Sequence, residues 1–167
     1  MIEEYVVRPF DRDDIDSVVS INRSCLPENY PAQFFLGLYL HAPKSFIVAE
    51  CSEGICGYIM CRIERGISSF GRSPAKKGHV VSVAVRDEHR HHGIGSKLVE
   101  AAMKGMQEYG ASEFFLEVRK TNEAAISVYE KLNFEIKRVL KGYYRDGEDA
   151  YLMACRAAGS EEDGAAE

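Results

Sequence analysis

Apolar residues recur along this chain at two spacings, and the changes from one to the other mark its elements. Ile2–Arg8 reads as a strand. Asp11 then offers a helix cap, and Ile15, Val18, Ile21 and Cys25 follow at helical spacing until Pro27 ends the run. Ala32–His41 predicts a second helix. Ser45–Cys51 and Gly54–Ile63 predict strands joined by a Ser52-Glu53-Gly54 turn. Arg65–Lys77, rich in glycine and basic residues, reads as a loop. His79–Val85 predicts another strand, and Gly93–Tyr109 a helix with Ile94, Leu98, Ala102 and Met106 on one face. Ser112–Val118 predicts a strand, Glu123–Leu132 a helix, and Phe134–Leu140 with Ala150–Cys155 a closing antiparallel pair.

The order β-α-α-β-β-β-α-β-α-β-β predicts an α/β fold with a mixed sheet. The length of 167 residues suits one domain with a real core, read as residues 1–156, followed by an acidic disordered tail at 157–167. Net charge is −5, and four of those charges belong to Glu161, Glu162, Asp163 and Glu167 in the tail, which leaves the rest at −1. Such a balance excludes the electrostatic footprint of a general nucleic-acid binder. No apolar run approaches the roughly 18–20 residues needed to span a bilayer, and the N-terminus does not read as a signal segment. A cytoplasmic protein with no membrane partner is expected. The five cysteines, Cys25, Cys51, Cys56, Cys61 and Cys155, form no C-x-x-C pair. They read as small core residues, with neither a disulfide framework nor a zinc site expected.

The candidate chemistry begins at Arg90-His91-His92-Gly93-Ile94-Gly95, between the His79–Val85 strand and the following helix. Glycines at such a junction free backbone N–H groups at the positive end of the helix dipole, which is an anion site. A dinucleotide fingerprint needs a third glycine where Leu98 stands, and a P-loop needs Gly-Lys-Ser/Thr where Ser96 precedes Lys97. What remains is R-x-x-G-x-G after Val81-Ser82-Val83-Ala84-Val85: either a phosphate cradle or a bare β–α turn.

That segment resembles the acyl-CoA motif of the GNAT N-acetyltransferase superfamily. Asn122 and Tyr129, around the start of the Glu123–Leu132 helix, resemble its later motif. Leu26-Pro27-Glu28-Asn29-Tyr30 and the Lys141–Tyr151 segment with Tyr143-Tyr144 resemble signatures of N-terminal protein acetyltransferases. These are the catalytic subunit of the eukaryotic NatA complex, its archaeal relatives and, more distantly, the bacterial ribosomal-protein alanine acetyltransferase. The resemblance spans residues 1 to about 156. It implies the GNAT fold, a mixed and mostly antiparallel seven-stranded sheet flanked by about four helices. It also implies acetyl-CoA as cosubstrate and the α-amines of protein N-termini as acceptors, nascent chains at the ribosome among them. Small first residues, Ser, Ala, Thr or Gly, are the implied preference, with Met-starting chains a further class. Whether an auxiliary subunit is needed is left open.

Residue by residue, the resemblance implies Glu117 as general base, His79 assisting through a shared water, and Tyr129 near the cosubstrate sulfur as the acid for the leaving thiolate. Cosubstrate contacts fall on Val83, Ala84, Val85, Arg90, His91, His92, Gly93, Ile94, Gly95, Ser96, Asn122, Tyr129 and Lys131. Peptide contacts fall on Glu28, Tyr30, Tyr143 and Tyr144. No metal is required. The plainer readings are a surface strand carboxylate for Glu117, a structural His79, a core Tyr129 and a helix cap at Asn122. His91 and His92 depart from the family pattern, since relatives often place Arg or Lys there. Rival functions are a lysine or small-amine acetyltransferase on the same cosubstrate site, and a non-catalytic CoA-binding accessory protein.

Overall fold

The computed structural model describes residues 4–159. The strands are β1 (Val6–Pro9), β2 (Ile47–Cys51), β3 (Gly54–Ile67), β4 (Pro74–Val85), β5 (Glu113–Arg119), β6 (Glu135–Leu140) and β7 (Ala150–Arg156). The helices are α1 (Ile15–Cys25), α2 (Ala32–His41), α3 (Ile94–Glu108) and α4 (Glu123–Lys131). The seven strands hydrogen-bond in the order β1-β2-β3-β4-β5-β7-β6, and β4–β5 is a parallel pair among antiparallel neighbours. This is the seven-stranded α/β architecture expected. Of the predicted Ile2–Arg8 strand, Ile2 and Glu3 lie outside the described residues, as does the tail from Ser160.

Two compact units divide the chain: Met1–Arg62 with Val80–Glu108, and Ile63–His79 with Tyr109–Glu167. In the first, Asp11 caps the turn that leads into α1, its side chain accepting from Asp13 N–H at 3.0 Å. Val18 and Ile21 go inward and are fully buried, with Phe35, Phe46, Val48, Tyr58 and Met60 around them. Each large apolar side chain so buried contributes roughly 1.5–3 kcal/mol. The predicted face of α3, Ile94, Leu98, Ala102 and Met106, is buried in full. Gly105 lets α3 approach the Pro43–Ser45 turn: a Cβ there would stand 2.0 Å from the Lys44 carbonyl oxygen.

In the second unit, β5 alternates as predicted, with Phe114, Leu116 and Val118 buried and Phe115, Glu117 and Arg119 on the other face. One prediction fails here. Most of Arg65–Lys77 is not loop, because β3 continues to Ile67 and β4 already begins at Pro74. Its polar residues hide a two-stranded ribbon whose tip is tied down by side chains. Glu113 accepts from the Ser68 hydroxyl and the Ser69 N–H, both at 2.6 Å, and Ser68 N–H donates to the Ser73 carbonyl at 2.8 Å. Among the described residues no helix is long and apolar enough to cross a membrane.

Candidate active site

In the second unit, three strands each lend one side chain to a polar cluster: Glu64 from β3, His79 from β4 and Glu117 from β5. The parallel register sets His79 opposite Phe115, and Glu117, two residues on, shares the face of Phe115. The imidazole stacks on the Phe115 ring with centroids 4.3 Å apart and planes 4° from parallel. His79 Nε2 lies 2.8 Å from Glu117 Oε2, and Nδ1 lies 3.0 Å from Glu64 Oε2. The side chains of His79 and Glu117 are only 13% and 14% exposed.

Of the two approaches, the one to Glu117 is a hydrogen bond, and the one to Glu64 is a close ion-pair contact without hydrogen-bond geometry. A carboxylate hydrogen-bonded to an imidazole is a pair that can accept a proton and share it with the ring. Glu64 lay one residue past the predicted strand end, and only the continued β3–β4 ribbon brings it to His79.

α4 carries the next set. Asn122 is the N-cap, its Oδ1 accepting from Ala125 N–H at 3.2 Å. Tyr129 is buried against Phe134, with ring centroids 5.9 Å apart. Burial pushes its phenol up to about 12, so the hydroxyl keeps its proton throughout the neutral range. Lys131 is exposed at the helix end.

The β6–β7 connection presents Tyr143 and Tyr144, packed edge to face at 5.0 Å. Arg119 organises it. Its Nη1 meets Asp146 at 2.9 Å and Glu148 at 2.7 Å, and its guanidinium lies 4.0 Å over the Tyr144 ring. Glu148 also accepts from the Thr121 hydroxyl, and this bond first, then the one from Arg119, holds its carboxyl below the usual range. Sequence reasoning passed over Arg119, whose only signal was its place two residues beyond Glu117 on the same strand face.

In the first unit, β4 runs on through Val83, Ala84 and Val85, and Arg90 Nε returns to the Val85 carbonyl at 3.3 Å. Arg90 also pairs with Asp87 at 2.9 Å. His91 and Gly93 both take left-handed backbone, φ 66° and 76°, an uncommon state for a histidine. α3 then begins at Ile94, and Lys97 N–H is the first to bond back, to the Gly93 carbonyl at 3.2 Å. The N–H groups of Ile94, Gly95 and Ser96 thus precede the intrahelical ladder. A Cβ at Gly93 or Gly95 would meet nothing within 4 Å, so open space lies before those amides. Negative oxygens of a pyrophosphate fit this donor set. His91 and His92 are exposed, and His92 Nδ1 turns to the Arg90 carbonyl at 2.8 Å.

Glu28 and Tyr30 follow α1, and Asn22 inside that helix fixes both. Its amide donates to the Glu28 carbonyl at 3.0 Å and to the Tyr58 hydroxyl at 3.1 Å, and its Oδ1 accepts from Tyr30 N–H at 3.2 Å. Tyr58 shares a 2.7 Å hydrogen bond with Ser82 on β4. Tyr30 stacks on Phe34 at 4.6 Å. Asn22 gave no sequence signal beyond an amide on an apolar helix face.

Comparison with known proteins gives the family. The acetyltransferase (GNAT) family profile matches residues 15–134. An N-alpha-acetyltransferase of Saccharolobus solfataricus is 51% identical over 154 residues, covering 90% of this chain and 92% of that one. The N-terminal acetyltransferase A complex catalytic subunit of Arabidopsis thaliana is 39% identical, covering 84% of this chain and 72% of that one. The crystal structure of Ard1 from Thermoplasma volcanium superposes with a TM-score of 0.78 at 30% identity, covering 92% and 97% of the two chains. The chain belongs to the acetyltransferase (GNAT) family, on its N-alpha-acetyltransferase branch.

Proposed function

We propose that this enzyme transfers the acetyl group of acetyl-CoA to the free α-amine of protein N-termini in the cytoplasm, nascent chains included, with small first residues preferred. The observation that carries the reading is the hydrogen-bonded His79–Glu117 pair, set side by side by the parallel β4–β5 register, with Glu64 beside the imidazole. A free α-amine has a pKa of about 7.7–8.0, so a useful fraction reaches the enzyme neutral at pH 7. The proton it sheds on attacking the thioester carbon passes to Glu117, with His79 spreading the charge. A backbone N–H in Val83–Val85 donates to the carbonyl oxygen as it gains charge. Tyr129, still protonated at neutral pH, gives its phenolic proton to the departing sulfur.

The amides of Ile94 to Ser96 hold the pyrophosphate, while Asn122 and Lys131 contact the cosubstrate from α4. Tyr30, Tyr143 and Tyr144 line the peptide slot, and Glu28 shapes the pocket for the first residue. Residues 1–156 act as the catalytic domain, and 157–167 form an acidic tail. The test is a peptide pair: a Ser- or Ala-starting peptide, and its N-blocked twin carrying an internal lysine. Acetylation of the first alone is expected. Acetylation of the twin at an equal rate would mark a lysine acetyltransferase, and binding of acetyl-CoA without turnover of either peptide would mark an accessory protein.

A further inference from the structure

One side-chain cluster apart from the proposed catalytic groups has the composition and spacing of a metal site. Cys51 ends β2, Cys56 lies near the start of β3, and His89 closes the short 3-10 turn before Arg90. Their ligand atoms all lie within 4.8 Å of one another, and Cys51 Sγ is 3.8 Å from His89 Nε2. Tetrahedral zinc, with Zn–S about 2.3 Å and Zn–N about 2.0–2.1 Å, sets S···S edges of about 3.8 Å and S···N edges of about 3.6 Å. The three side chains are thus close to that geometry, and a small contraction completes it. Four residues separate the two cysteines, a spacing found in structural zinc sites, and the hairpin turn brings them together.

The surroundings fit the same use. Tyr5 hydroxyl lies 3.1 Å from His89 Nδ1, which directs Nε2 to the thiols. A partner on the far ring nitrogen is what orients a metal-binding histidine. Cys56 and His89 are buried at 1% and 4% exposure. On the open side, Glu53 Oε2 stands 3.8 Å from Nε2, on a turn side chain that is 75% exposed.

We propose that Cys51, Cys56 and His89 bind one zinc-class divalent cation, with the Glu53 carboxylate as fourth ligand, and that the ion pins the β2–β3 hairpin to the residue that enters the Arg90–Gly95 loop. Binding forms two metal–sulfur bonds, one metal–nitrogen bond and one metal–oxygen bond. The two thiol protons go to solvent and no electrons are exchanged. A C-x-x-C rule passes over the site because four residues separate its cysteines, and its third ligand, His89, comes from far along the chain.

The full chain, stripped with a chelator under reductant, is titrated with Co2+ and then with Zn2+. The expected result is one Co2+ per chain with tetrahedral bands and thiolate-to-cobalt charge-transfer absorption, displaced by Zn2+. Zn2+ is also expected to protect Cys51 and Cys56, and not Cys25, from alkylation mapped by mass spectrometry, a readout that needs no variant. Cys51→Ser with Cys56→Ser abolishes the charge-transfer band, Cys25→Ser keeps it, and Tyr5→Phe weakens affinity by about 10–100-fold. The proposal is overturned if no band and no protection appear, or if the metal is lost in His79→Ala but kept in the double cysteine variant. A Cys51–Cys56 disulfide whose reduction gives no metal uptake would overturn it as well.

Discussion

Glu117 Oε2 and His79 Nε2 are 2.8 Å apart, although 38 positions separate the two residues along the chain. The pair stands on parallel neighbours, and its ring is clamped by Phe115 beneath and Glu64 at the second nitrogen. Two groups joined by one hydrogen bond and serving one proton transfer should fail together. Glu117→Gln is expected to lower kcat by about 10²–10⁴-fold with the KM for acetyl-CoA unchanged. His79→Ala should cost a similar factor, and the double variant little more than either alone. Glu64→Gln, which leaves the Glu117 contact in place, should cost less than both. Steady-state kinetics of the four variants decide the matter. Additive losses would mean that the two side chains act separately.

Tyr129 allows a cleaner separation of chemistry from packing. Its ring packs on Phe134, and Tyr129→Phe keeps that contact while removing the hydroxyl. Stability near that of the parent and a kcat lower by about 10²-fold or more are expected. Because burial raises the phenol from its ordinary value to about 12, the parent should lose no activity through this group below roughly pH 11. A pH–rate profile of parent and variant, with unfolding curves for both, checks each part.

The elements that bury one regular face were legible in the sequence. α1, α3 and β5 carry apolar periods; the structure buries those positions of α3 and β5, and in α1 it buries Val18 and Ile21 while Ile15 and Cys25 stay half-buried. The glycine turn between β4 and α3 was legible too, because glycine at a strand–helix junction leaves a local mark. What escaped depends on register and on contacts distant in sequence. The ribbon of β3 and β4 alternates too weakly to be seen, so Glu64 was missed with it. Asn22 and Arg119 act through partners that no local pattern indicates, as does the close approach of Gly105 to Lys44. The Cys51–Cys56–His89 cluster belongs with them, since it exists only once β2, β3 and the Asp87–His89 turn are assembled.

Arg8 and Asp14 predict how stability changes in acid. The guanidinium binds the carboxylate through two contacts, 2.8 and 3.0 Å, and Asp11 N–H adds a third at 2.8 Å. The hydrogen bonds from Arg8 hold the Asp14 carboxyl below its ordinary range, against the opposing effect of burial. A carboxyl whose value is lower when folded stabilises the fold above its unfolded pKa of about 3.9 and loses that share as pH falls through the folded value. The parent should therefore lose stability as pH drops below about 4. Asp14→Asn should be less stable at pH 7 by roughly 1.5–3 kcal/mol and show a flatter acid limb. Urea unfolding between neutral pH and pH 2 measures both slopes, and parallel slopes would remove Asp14 from the account.

Asn22 links stability to substrate selection. It is fully buried, and it is the common partner of the Glu28 carbonyl, the Tyr30 N–H and the Tyr58 hydroxyl. Asn22→Ala removes all three contacts inside a packed core, at a cost of roughly 1–3 kcal/mol for each buried group left without its bond. The loop that carries Glu28 and Tyr30 then loses the anchor that sets its position beside α1. If those two residues hold the first residue of the peptide, the KM for a Ser-starting peptide should rise about tenfold or more, for a loss of about 1.4 kcal/mol or more in binding. The KM for acetyl-CoA should stay near the parent's, because the amides of Ile94 to Ser96 do not depend on this amide. Asn22→Asp keeps an oxygen for Tyr30 N–H but faces the Glu28 carbonyl with a second acceptor and buries a charge, so it should be no better than alanine. Kinetics with both substrates, at a temperature where each variant is folded by circular dichroism, separate the outcomes. A rise in both KM values together would point to general loosening of the core, and a rise in the peptide value alone ties Asn22 to the peptide slot.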